Sequence, residues 1–72
     1  MELREEVESA GRDEAALRAL HARNAESLRA ALGALTASLR TGADGEAIAA
    51  AERLVYYRRI DQEIRERLPS AI

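Results

Sequence analysis

Residues that interrupt helices fall at only three places in this chain, and their spacing fixes what it can fold into. The first place is Ser9-Ala10-Gly11-Arg12-Asp13. The second is Thr41-Gly42-Ala43-Asp44-Gly45, and the third is Leu68-Pro69-Ser70. Between them the chain is mostly Ala, Leu, Glu and Arg, the residues with the highest helix propensity, and β-branched residues are few. The expectation is an all-α fold of three helices, over about 2–10, 13–40 and 44–68. Gly11 is read as a left-handed stop of the first helix and Asp13 as the cap of the second. Gly42 ends the second helix, Asp44 caps the third, and Pro69 closes it. Gly33 lies inside the second helix at a cost of about 1 kcal/mol against Ala, and is read as a point of close approach by a neighbouring helix.

Apolar spacing gives each segment one sticky face. Leu17, Leu20, Leu28, Leu32, Leu35 and Leu39 recur at steps of three, four and more residues along the second helix. Ala47, Ala50, Leu54, Tyr57, Ile60, Ile64 and Leu68 do so along the third, and Leu3, Val7 and Ala10 make a short stripe on the first. Each stripe needs another to cover it. Two long helices joined by a short turn pack antiparallel, and the first helix is too short to stand alone. The predicted architecture is therefore an antiparallel three-helix bundle, a short first helix packed on a long hairpin, with residues 1–72 as a single domain. At this length the core is thin, burying about 60% of the unfolded surface. There are no cysteines to staple it.

Several function classes fit poorly. The net charge is -2, and the basic residues, all Arg, are interleaved with acids rather than gathered on one face. The only aromatics are Tyr56 and Tyr57. That pattern speaks against nucleic acid. No apolar run approaches the roughly 20 residues that span a bilayer, and no basic-then-apolar leader opens the sequence. A cytoplasmic protein with no membrane partner is expected. His21 is the one histidine, with no cysteine and no Gly-x-Ser-x-Gly setting to pair with it. It is read as a boundary residue rather than a base or metal ligand, so no cofactor and no catalytic residue is expected. Asn24, one turn on, is read either as a buried polar residue fixing helix register or as a rim residue. The charges of the third helix alternate in sign, the pattern of a solvated face.

What remains are the side chains that the core faces leave over. At 100° per residue, Tyr56 falls at the edge of the third helix's core face or beyond it. It is either an aromatic anchor for a partner or a rim residue with its hydroxyl in water. On the first helix Met1, Glu2, Glu5 and Ser9 fall roughly opposite Leu3 and Val7. They form either an apolar and acidic docking stripe or an ordinary solvated face.

Two stretches carry a family likeness. Met1-Glu2-Leu3-Arg4-Glu5-Glu6 and Leu54-Val55-Tyr56-Tyr57-Arg58-Arg59-Ile60 resemble the leading and final helices of the C-terminal domain of HscB-type co-chaperones. The likeness covers nearly the whole chain. Its leading motif is the more specific one, and the middle helix matches in pattern and length. It implies a three-helix domain that binds the iron–sulfur cluster scaffold protein, for delivery to a DnaK-type chaperone by an N-terminal J-domain. It implies a scaffold contact through Met1, Glu2, Glu5 and Tyr56, the residues that periodicity leaves over. No His-Pro-Asp motif occurs here, so the J-domain is absent from these residues and only the cargo-binding role is expected. Ser9 stands where many relatives have an acid, and the link between the first two helices is shorter than in relatives. The family's label also mentions oligomerisation.

Two other readings compete. One is a helical hairpin that only self-associates; sustained heptads would mark it, and the break at Gly11 speaks against it. The other is a small helical enzyme, since Arg58-Arg59-Ile60-Asp61-Gln62-Glu63-Ile64 resembles the chorismate mutase type. Such a site gathers cationic groups around a dicarboxylate, usually including Lys, which this chain lacks.

Overall fold

The computed structural model describes residues 2–69. It contains three α-helices: α1 over Leu3–Ala10, α2 over Glu14–Thr41 and α3 over Asp44–Arg67. The long pair forms an antiparallel hairpin and α1 lies across its open end, the all-α arrangement that the apolar stripes predict.

The helix ends follow the local chemistry closely, with one exception. Asp13 caps α2, its side chain accepting a hydrogen bond from the Ala16 amide at 3.3 Å. Gly42 ends α2 in the left-handed region at φ 74° and ψ 22°, where a Cβ would be strained. Gly11 also has a positive φ, 58°, but its ψ of -109° places it outside the left-handed helical region. The exception is Asp44. It is the first residue of α3, behind an Ala43 cap that offers no side-chain acceptor. Asp44 instead sits in the first turn with Glu46, where a carboxylate is favoured by the helix dipole.

The packed core is concentrated at the open end. Val7, Leu17, Leu20, Ile60 and Ile64 form one buried cluster, with Leu3, Ala10, Tyr56 and Leu68 packed against it. Burial of each large aliphatic side chain contributes about 1.5–3 kcal/mol, and Val7 is the one fully buried residue of α1. Toward the turn the seam changes character: its buried residues there are Ala31, Ser38, Ala47 and Ala50. Small residues let the two backbones approach closely, but they leave little volume for neighbouring leucines to share.

Three sequence expectations fail in this fold. Leu32 and Leu39 do not join the core; they are 54% and 66% exposed. On α2 the seam runs through Leu17, Asn24, Ala31 and Ser38, a strict seven-residue step. This narrow line is the one that α3 covers. Leucines turned 60–80° away from it need a third helix, and α1 covers only the other end. Tyr57, expected at the centre of the core face, is half-buried, and among the described residues it is Tyr56 that packs against the core cluster. Gly33 marks no close approach: it is exposed, and a Cβ built on it would meet nothing within 4 Å.

Candidate functional site

The surface around α1 is built by two ion pairs that straddle Val7. Arg4 Nη2 lies 3.3 Å from Glu63 Oε1 on α3. On the other side Arg23 of α2 meets Glu6 through both guanidinium amino groups, at 3.2 and 3.4 Å. These pairs commit Arg4 and Glu6 to holding α1 in place. Glu2, Glu5 and Ser9, which the helical wheel sets off the core, are exposed. Met1, the fourth member of that stripe, lies outside the described residues.

The start of α1 reaches as far as Ser27 and Tyr56, and a shallow cleft of about 360 Å³ forms there. Glu2, Leu3 and Glu6 line it from α1, Tyr56 and Tyr57 from α3, and Asn24 lies among the α2 residues at its edge. The structure thus brings two of the sequence-derived residues, Glu2 and Tyr56, to one place. Glu5 does not line this cleft; it stands on the exposed surface of α1. Tyr56 and Tyr57 meet edge to face, with ring centroids 5.5 Å apart and planes at 64°, a geometry that aromatic quadrupoles favour. Tyr56 is therefore a half-buried ring, held from two sides, rather than a freely solvated one.

Asn24 is the polar residue that periodicity left open. It is 1% exposed and its Nδ2 donates to the Tyr57 backbone carbonyl at 2.8 Å. This bond crosses the seam and sets the register of α2 against α3. Its Oδ1 is buried without a partner among the described residues. His21 sits where a boundary residue is expected, with Nε2 3.2 Å from Asp61 Oδ1 on α3, and Asp61 also accepts from Arg65 at 2.8 Å. Sequence reasoning missed this inter-helix pair because Asp61 looks like an ordinary member of the alternating-charge face of α3 and His21 like a lone boundary residue.

Chemically, this is a recognition surface: exposed carboxylates on a short helix beside a fixed aromatic rim. Among the described residues no group of three or more His, Asp or Glu side chains is arranged to hold a metal ion. No helix among them is long and apolar enough to cross a membrane.

Comparison with curated proteins and with solved structures gave no match. Comparison with protein-family models did: the model described as the HSCB C-terminal oligomerisation domain matches residues 1–65, leaving only the last seven of the 72 outside it. The match begins with α1 and runs nearly to the end of α3, so it takes in the seam, the core cluster and the surface around Glu2 and Tyr56. The chain belongs to the family of HscB-type co-chaperone C-terminal oligomerisation domains.

Proposed function

We propose that this domain binds the iron–sulfur cluster scaffold protein through the exposed surface of α1 and the Tyr56 rim, in the cytoplasm, without catalysing a reaction itself. Delivery of the bound scaffold to a DnaK-type chaperone falls to a J-domain outside these residues. The observation that carries this reading is the meeting of Glu2 and Tyr56 at one cleft. Two residues 54 positions apart in the sequence, singled out because the core did not explain them, share a surface.

The division of labour fits binding energetics. The Tyr56 ring is already held by Tyr57 and the core cluster, so docking against it costs little side-chain entropy. Glu2 and Glu5 supply charge at the edge of the contact, where they steer a basic partner and set its orientation more than its affinity. The family description also names oligomerisation, and self-association of the chain is the second half of this reading.

Titration calorimetry with the purified scaffold tests the first half. Glu2→Arg combined with Glu5→Arg should weaken binding about tenfold or more, with unchanged helicity, because both carboxylates are exposed. Tyr56→Ala should weaken it about thirtyfold, the effect of losing an anchor worth about 2 kcal/mol. That variant also disturbs packing on the core cluster, so its thermal unfolding is followed in parallel. Parent-like affinity in the doubly reversed variant would remove α1 from the contact.

A further inference from the structure

The hairpin has two faces, and only one is covered. Measured from Asn24 at the seam, Arg23 stands about 100° round α2 on the flank that meets α1, and Leu39 and Leu32 stand about 60° and 80° round on the other. On α3, Tyr56 and Glu63 lie on the flank of α1, while Ile48 and Val55 lie about 110–130° from the Ala47–Ala50 seam on the opposite one. Antiparallel helices related by the hairpin's own pseudo-two-fold keep like flanks on the same side. Leu32, Leu39, Ile48 and Val55 therefore share the face turned away from α1. They are 54%, 66%, 61% and 50% exposed, and among the described residues they are the large apolar side chains left most open to water. Ile48, Ala51, Glu52 and Val55 line a shallow apolar hollow on it.

We propose that this face is the surface through which the chain self-associates, covered by the same face of a second copy. This rests on the self-association reading and names its surface. The first support is the charge pattern. Beside the apolar strip, between the turn and Val55, the α2 edge carries the charges Arg29 and Arg40 and the α3 edge carries Asp44 and Glu52, while Arg59 follows on the α3 edge one turn past Val55, beyond the strip. The four beside the strip are exposed, and none is in an ion pair among the described residues. A basic edge facing an acidic edge across one apolar strip is self-complementary under a two-fold axis parallel to the hairpin. That operation lays α2 of one copy antiparallel on α3 of the other.

The register agrees with the charges. Five residues toward the turn from the Asn24–Tyr57 contact, Arg29 on α2 stands level with Glu52 on α3. A two-fold along the hairpin keeps those levels, so each Arg29 meets Glu52 of the second copy. Arg40 comes within about 4.5 Å, along the axis, of the level of Asp44 in the second copy. A two-fold across the hairpin would instead stack α2 on α2 and set Arg29 and Arg40 against their own copies. The favoured product is a four-helix bundle with α1 and Tyr56 on its two outer sides, open to a different partner.

Sedimentation equilibrium of the 72-residue chain, from low micromolar to near-millimolar concentration, is the test. The parent should reach a dimer mass. Leu32→Glu with Ile48→Glu should weaken association at least a hundredfold while circular dichroism stays helical. Arg29→Glu alone and Glu52→Arg alone should each weaken it about tenfold, through two equivalent rim pairs, and the two together should restore it. A parent that stays monomeric at every concentration overturns the self-association reading and this surface with it. A dimer indifferent to both the apolar and the charge variants overturns the surface alone. Loss of scaffold affinity in Leu32→Glu, with the parent monomeric, would give this face to the scaffold instead.

Discussion

Asn24 Nδ2 donates to the backbone carbonyl of Tyr57 at 2.8 Å, across the seam between the two long helices, while Asn24 Oδ1 is buried with no partner among the described residues. The amide is half satisfied, and that asymmetry fixes the sign of two substitutions. Asn24→Asp keeps the shape, loses the donor and sets a carboxylate against a carbonyl oxygen. It should cost about 2–3 kcal/mol, read from urea unfolding followed by circular dichroism. Asn24→Leu removes the donor and the orphaned acceptor together, and the Tyr57 carbonyl keeps its helical partner. Its stability should stay within about 1 kcal/mol of the parent. An equal loss in both variants would refute this account of the seam.

Two glycines should respond to alanine with opposite signs. Gly33 lies in mid-helix with open space where a Cβ would go, so Gly33→Ala should stabilise the chain by about 1 kcal/mol. Gly42 closes α2 at φ 74°, and Gly42→Ala should destabilise it by about 1–2 kcal/mol. Thermal melts of the two variants at equal protein concentration check both, and a loss at Gly33 would mean that its face is covered.

The ion pairs that flank α1 should matter less than the one valine beneath it. Val7 is fully buried, and Val7→Ala should cost about 2 kcal/mol, lowering the melting temperature by about 10 °C. In the pairs Arg4–Glu63 and Arg23–Glu6 the arginine side chains are 52% and 63% exposed. Arg4→Ala and Arg23→Ala should each cost about 1 kcal/mol or less, with the difference from the parent shrinking in molar salt. If either arginine variant melted lower than Val7→Ala, electrostatics rather than packing would be holding α1.

Exposed i,i+4 pairs give a fourth, smaller expectation. Arg18 lies 2.7 Å from Glu14 on α2 and Arg65 lies 2.8 Å from Asp61 on α3. Arg18→Ala should change stability by about 0.5 kcal/mol at most. Arg65→Ala should cost little more, because His21 still faces Asp61. A double-mutant cycle on each pair reads these couplings directly.

How far the sequence alone reaches depends on which residues are asked. The core cluster of Val7, Leu17, Leu20, Ile60 and Ile64 was legible because all three apolar stripes pass through it and breakers bound each helix. The cap at Asp13 was legible because capping is local chemistry. Leu32 and Leu39 were misplaced because periodicity gives the direction of a stripe, and burial depends on whether another element reaches it. Tyr56 and Tyr57 are one residue apart, and the wheel does not show on which flank of α3 the short helix settles. Since α1 settles on the Tyr56 side, the rim residue became the packed one. Gly33 was misread because a small residue in a helix has the same spelling whether a neighbour approaches or nothing does. Of the surface residues, Glu2 and Tyr56 were found by elimination; their meeting at one cleft needed coordinates.

The slender attachment of α1 has a consequence for how any partner reads it. An eight-residue helix is unstable by itself, and here one fully buried valine, the partly buried Leu3 and Ala10, and two ion pairs hold it. Its amides should therefore exchange with solvent through a local opening well below the global unfolding energy, while those of the long hairpin remain protected. A partner that grips Glu2 and Glu5 then binds only the fraction of molecules in which α1 is docked, and its apparent affinity is reduced by that fraction. Substitutions in the cluster beneath, at Leu17 for example, will alter affinity by changing that population without touching the partner at all.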